Sequence, residues 1–181
     1  MPDSLPFDPV AEARRNWARH WGDDPVPSMS AVTSIMRVQQ ILLARLNDTL
    51  RPFDLTFPRY EALMLLFYSR RGALPLGKMG DRLQVHRTSM THMADRLEEA
   101  GLVTRVAHAE DRRSTLIEIT AAGRDLAARA TSVLNEAGFA MDPLDDDALD
   151  AITRLLEDLR RHEGDFAEPQ PAAAQNTGAS V

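Results

Sequence analysis

Cysteine is absent from the 181 residues. That excludes disulfides, thiol-based oxidation sensing and every zinc site built on thiolates. No run of about 18 apolar residues is present to cross a membrane. There is also no basic-apolar-small signal at the N-terminus and no lipidation motif, so a cytoplasmic protein with no membrane partner is expected. Catalytic fingerprints are missing too. The five histidines, His20, His86, His92, His108 and His162, contain no i, i+4 pair and no H-E-x-x-H. No G-x-S-x-G, P-loop or G-x-G-x-x-G occurs. Neither an enzyme, a metal site nor a cofactor is expected. What remains is a chain with 44% hydrophobic residues, enough for one domain with a core.

The densest information lies between Leu74 and Thr120. Met90, Met93, Ala94 and Leu97 fall at i, i+3, i+4 and i+7, one face of a helix. A shorter helix precedes it, with Leu76, Met79 and Leu83 inward and Gly80 small enough for close approach. Gln84-Val85-His86 is the turn between them. Gly101 stands where a helix ends in a left-handed residue. Two runs rich in β-branched residues follow, 102–106 and 115–119, separated by the charged stretch His108-Ala109-Glu110-Asp111-Arg112-Arg113-Ser114. Helix, turn, helix and a two-stranded hairpin with a basic tip make a winged helix-turn-helix. The fold class expected is mainly α with a small β-hairpin wing, the lobe standing on a helical dimerisation scaffold.

Opposite its buried stripe, the second helix presents Arg87, Thr88, Ser89, Thr91 and His92. These side chains donate or accept at base edges when a helix N-terminus enters the major groove of a double-stranded DNA operator. Arg96 lies further along, within reach of a phosphate, while Glu98 and Glu99 should face away from the polyanion. Arg112 and Arg113 suit a minor groove, whose negative potential draws arginine. The formal net charge of −6 looks wrong for such a partner until it is divided by region. Residues 70–113 hold nine Lys/Arg against six Asp/Glu, a surplus of three positive charges, which leaves −9 for the remainder. Phosphate neutralisation is local, so the asymmetry matters more than the total. The acidic run Asp145 to Asp147 reads more simply as carboxylates offsetting a helix dipole.

On both sides of this lobe the pattern is helical. Residues 30–51 carry Ile35, Val38, Ile41, Leu42, Leu46 and Leu50, and 56–68 carry a second apolar run. After the hairpin, Thr120 is placed to cap a helix through Leu126, Ala130, Val133 and Leu134. Pro143 breaks it, and Ala148, Leu149, Ile152, Leu155, Leu156 and Leu159 form a last amphipathic stripe. Apolar faces on terminal helices point to a second copy of the chain, although packing within one copy also accounts for them. The boundaries expected are a disordered N-terminus over 1–9, one domain over 10–163 and a disordered tail over 164–181. Within the domain, 10–52 and 121–163 are the dimerisation helices and 56–120 the lobe.

Several segments together resemble the MarR family of bacterial transcriptional regulators. They are Arg82-Leu83-Gln84-Val85-His86, Ser89, Asp95-Arg96-Leu97-Glu98-Glu99-Ala100-Gly101-Leu102-Val103-Thr104-Arg105, Asp111-Arg112-Arg113-Ser114 and Leu116 through Gly123-Arg124. The resemblance covers about residues 30–162. It implies a homodimer with two winged lobes, usually a repressor released by small anionic or phenolic ligands. It also implies that Arg112 or Arg113 enters the minor groove and that Asp111 supports the wing by pairing with a neighbouring arginine. At position 87 such proteins often carry proline, so Arg87 gives up some helix preorganisation and is free for a base or phosphate.

The N-terminal stretch from Ala11 to Gly22 reads as an extra helix with Trp17 and Trp21 on one face. Two such rings serve packing, in a core or a dimer interface, or else they wall a ligand pocket, with Arg14 or Arg15 to pair an anion. The stretch is similar to the added helix of urate-responsive members of the family. That similarity matches Trp17, Arg105 and Glu61, the last where aspartate is usual, while Met93 replaces a second arginine. A planar aromatic or phenolic effector near Trp17, Trp21, Phe57, Tyr60 and Arg105 is therefore expected. The competing function is a winged helix that serves as a protein adaptor and binds no specific DNA.

Overall fold

The computed structural model describes residues 4–107 and 115–167. The chain divides into two compact units after Ala140. In the first unit, helix α1 spans Pro9–Trp21: the Asp8 carboxylate accepts from the Val10 N–H at 2.9 Å, Pro9 opens the helix, and Gly22 at φ 84° ends it. Asp8 and Pro9 thus belong to this helix, although their prolines and polar neighbours read as a disordered terminus. α1 packs on α2, Val26–Leu50. That helix starts four residues before the apolar pattern, because Pro27 sits in its first turn, where proline costs no hydrogen bond. Its C-terminal end buries Leu46 and Leu50, whereas Val32, Ile35, Met36, Val38 and Ile41 stay exposed.

A single 3₁₀ turn, Arg51–Phe53, leads to α3, Phe57–Phe67. The first N–H of α3, on Phe57, is satisfied from another element, by the Asn47 side-chain oxygen at 2.7 Å. Ala62, Leu63 and Leu66 of α3 are fully buried with Ala127, Ala130 and Leu134 of α6, Ala121–Glu136. Between them lies the lobe: β1 Ala73–Pro75, α4 Leu76–Leu83, α5 Arg87–Glu99, β2 Val103–Ala107 and β3 Thr115–Ile119. The sheet has three antiparallel strands in the order β1-β3-β2, with Leu74 and Arg105 both opposite Ile117. The two-stranded hairpin expected from sequence is therefore joined by a third strand. Three residues containing Pro75 are too short to show a period of two, and proline is tolerated at an edge.

The exit from β3 into α6 is built from two residues. Thr120 Oγ1 accepts the Gly123 N–H at 3.0 Å and donates to the Gly101 carbonyl at 2.8 Å. Gly123 then packs directly on the Leu102 carbonyl, where a Cβ would overlap it. After α6, Gly138, Phe139 and Ala140 take φ of 51°, 49° and 60°, a left-handed turn whose last carbonyl accepts from Arg45 of α2 at 3.0 Å.

The second unit holds α7, Asp146–His162. The Asp145 carboxylate caps it, accepting from the Ala148 N–H at 2.9 Å, and Asp146 and Asp147 fill its first turn. Arg160, Arg161 and His162 fill the last turn, so both ends complement the helix dipole. The acidic run is thus a helix start. Ile152, Leu155, Leu156 and Leu159 form its exposed apolar stripe. Phe166, two residues past the expected boundary of the tail, lies beneath the guanidinium groups of Arg160 and Arg161 at 5.4 and 5.7 Å.

Candidate nucleic-acid interface and the adjoining cavity

α4 and α5 form the helix-turn-helix. Gln84 adopts the left-handed conformation at φ 50°, and the Val85 N–H closes the turn onto the Gly80 carbonyl at 3.1 Å. A Cβ on Gly80 would stand 3.3 Å from the Val85 carbonyl and 3.8 Å from Met90 Cβ, which explains the small residue there. α5 begins at a histidine cap: His86 Nδ1 accepts from the Thr88 N–H at 3.3 Å. Met90, Ala94 and Leu97 are buried completely or almost so. That fixes the opposite face outward.

On that face Arg87, Thr88, Ser89 and His92 are exposed. Arg87 has no carboxylate partner among the described residues, so its charge is available to a ligand. Thr91 differs from its neighbours. It is half-buried and donates its hydroxyl to the Arg87 carbonyl at 3.0 Å, leaving only acceptor capacity on its oxygen. Arg96 is exposed but paired with Glu99 at 2.9 Å. Arg112, Arg113 and Asp111 lie outside the described residues.

Arg105 is not where the sequence reading puts it. Its guanidinium pairs with Asp95 at 2.5 Å and with Glu98, and its backbone N–H donates to Glu98 at 3.2 Å. Partial burial lowers its pKa and the two carboxylates raise it, and the carboxylates win. The residue therefore ties strand β2 to helix α5. Glu98 faces this tie. Sequence reasoning missed the pairing because its members come from different elements, seven and ten residues apart.

A cavity of about 560 Å³ adjoins the lobe, lined from α3, α4, α6 and the left-handed turn. Phe57 and Tyr60 line it, with ring centroids 5.9 Å apart. Trp17, Trp21 and Arg105 do not. The tryptophans stand on α1 with centroids 6.5 Å apart, and Trp21 is 71% exposed. Arg82 of α4 supplies the cavity's basic group, and Phe139 supplies a further ring. Tyr60 Oη and Thr131 Oγ1 are hydrogen-bonded at 2.9 Å along the wall. Glu61 also lines it, its pKa raised by desolvation. Among the described residues no cluster of potential metal ligands occurs, and no helix is long and apolar enough to cross a membrane.

Comparison with known proteins bears on this geometry. Residues 55–115 match the model of the MarR family. The chain is 45% identical to Sco5413, a MarR family transcriptional regulator from Streptomyces coelicolor. The match covers 79% of this chain and 99% of that one, with a TM-score of 0.74. The chain belongs to the MarR family. It is a winged-helix transcriptional regulator by kinship, not an enzyme. It is also 38% identical to the organic hydroperoxide resistance transcriptional regulator of Bacillus subtilis, over 44% of this chain and only 53% of that protein. The chain thus matches about half the length of that relative. Sco3205 of Streptomyces coelicolor, a MarR family member solved in complex with DNA, has a TM-score of 0.68 at 19% identity. That match covers 78% of this chain and 90% of Sco3205, and shows the shared fold alone.

Proposed function

We propose that this MarR family regulator is a homodimeric repressor that binds a pseudo-palindromic operator and is released by a small aromatic or phenolic ligand. The observation that carries the DNA reading is the outward face of α5. Arg87, Thr88, Ser89 and His92 project from its first turns, and the opposite face is anchored by Met90, Ala94 and Leu97. In this reading α5 enters the major groove, and Thr91 contributes an acceptor only. Arg112 and Arg113, supported by Asp111, reach the minor groove, while Arg96 serves a phosphate if its pairing with Glu99 opens. Two lobes stand about one DNA turn apart, ~10 bp.

The dimer is supported by the exposed apolar faces of α2 and α7, which are costly to leave in water. The cavity lies within the range of small-molecule sites. It borders α3 and α4, so a ligand that favours one spacing of these helices shifts the lobes and releases the operator. Phe57 and Tyr60 supply its aromatic wall and Arg82 the partner for an anionic group.

The test is a panel of single-base variants of the bound duplex. Arg87→Ala should lose preference at its own position, where a good base contact discriminates by about 1–3 kcal/mol. Arg112→Ala and Arg113→Ala should weaken all sequences alike and reduce the salt slope. A uniform loss from all three would contradict this division of labour.

A further inference from the structure

The cavity beside the lobe carries two opposite charges that do not meet. Glu61 enters its wall from α3 and Arg82 from α4. Both side chains are accessible, and neither has a hydrogen bond or ion pair among the described residues. Desolvation alone raises the Glu61 pKa, so no neighbouring cation compensates its carboxylate. The hydroxyl groups of the wall are already engaged. Tyr60 Oη is bonded to Thr131 Oγ1 at 2.9 Å, and Ser69 donates to the Leu66 carbonyl at 2.8 Å. What the cavity offers a ligand is therefore one carboxylate, one guanidinium and the neutral amide of Asn135, set among the rings of Phe57, Tyr60, Tyr68 and Phe139.

We propose that the effector this cavity selects is an aromatic zwitterion, with its anionic group on Arg82 and an ammonium group on Glu61. The inference rests on the ligand reading of the cavity given above and names the chemical class. A carboxylate only accepts hydrogen bonds and a guanidinium only donates them, so one neutral polar group does not serve both. An aromatic ligand that fills the space also removes water from both side chains. With an anion alone, Arg82 is matched while Glu61 is left more desolvated and beside a second negative charge. An ammonium group on the same ligand supplies the missing cation and turns that cost into a charge-assisted hydrogen bond.

The two charges also stand on different helices. A ligand that engages both joins α3 to α4, the first helix of the helix-turn-helix, whereas a singly charged ligand holds only one of them. Bipolar ligands are thus the class with the greatest differential hold on the spacing of these helices.

The experiment is an NMR titration of the full chain near neutral pH with four probes: meta- and para-aminomethylbenzoate, benzoate and benzylamine. It needs no operator, so its outcome is independent of the DNA reading. The better aminomethylbenzoate isomer should bind roughly three- to tenfold more tightly than either singly charged probe. Glu61→Gln should bring it down to the level of benzoate while leaving benzoate itself bound, which shows that the cavity is intact. Arg82→Gln should bring it down to the level of benzylamine in the same way. Benzoate binding as tightly as both zwitterions would overturn the proposal and leave a simple anion site. A preference for the zwitterion that survives both substitutions would also overturn it, since the charges would then be read elsewhere. No binding by any of the four would overturn it together with the ligand reading of the cavity.

Discussion

Gly123→Ala adds one methyl group at the junction of the lobe and α6. A Cβ at that position would lie 2.9 Å from Ile119 Cγ1 and 3.1 Å from the Leu102 carbonyl carbon, with the Leu102 oxygen closer still. Carbon-carbon contacts relax only near 3.5–4.0 Å. The backbone must therefore move, because two of the three neighbouring atoms are main chain. Movement here also disturbs the Thr120 cap and the bond from the Thr120 N–H to the Leu102 carbonyl, 3.0 Å long. Overpacking of this kind costs about 1–3 kcal/mol, and impairing a cap adds up to ~1 kcal/mol. For a chain of this size that lowers Tm by roughly 2–4 °C per kcal/mol. Gly77→Ala is the control. It lies in α4 with nothing near its Cβ, and alanine there should stabilise by about 0.5–1 kcal/mol through helix propensity. Thermal and urea unfolding of both variants separates the two effects. Equal stability of the Gly123 variant and wild type would refute the packing argument.

Two further predictions concern charged side chains. The Glu61 pKa is raised by desolvation, so its contribution to stability is fully present below its unfolded value, about 4.3, and is lost as pH rises through the higher folded value. Glu61→Gln should match wild type near pH 4 and become progressively more stable than it toward neutrality; urea midpoints that keep a constant difference across this range would contradict the assignment. Arg105→Gln removes the tie between β2 and α5. The side chains of Arg105, Asp95 and Glu98 are 29%, 46% and 38% exposed, so the loss of stability should be ~1 kcal/mol or less. DNA affinity should nonetheless fall without a change in base preference, and a ligand-specific defect with normal DNA binding would restore the effector role first assigned to this residue.

The parts legible in the sequence are those whose signal is local. The Met90, Ala94 and Leu97 period, the Gly101 stop and the Thr120 cap each lie within one turn of the element they define, and the structure places them as expected. β1 was hidden because three residues carry no period, and the start of α2 because Pro25 and Pro27 look like breakers out of context. In the site, exposure of Arg87, Thr88, Ser89 and His92 follows directly from the buried stripe. The engagement of Arg105 by Asp95 and Glu98 does not, since it depends on where β2 crosses α5, whereas the Arg96–Glu99 pair is a local i, i+3 spacing within α5. The left-handed turn that brings Phe139 to the cavity has only Gly138 as its sequence signal.

The central claim is sequence-specific binding of duplex DNA through α5. Fluorescence anisotropy of the full chain against the DNA flanking its own gene, with a scrambled duplex beside it and salt varied, tests it most directly. The account predicts one dimer per site, a clear preference over the scrambled duplex, and affinity that falls steeply with salt. Equal affinity for both duplexes, or no binding at low salt, would contradict it and favour a winged helix that recognises protein instead.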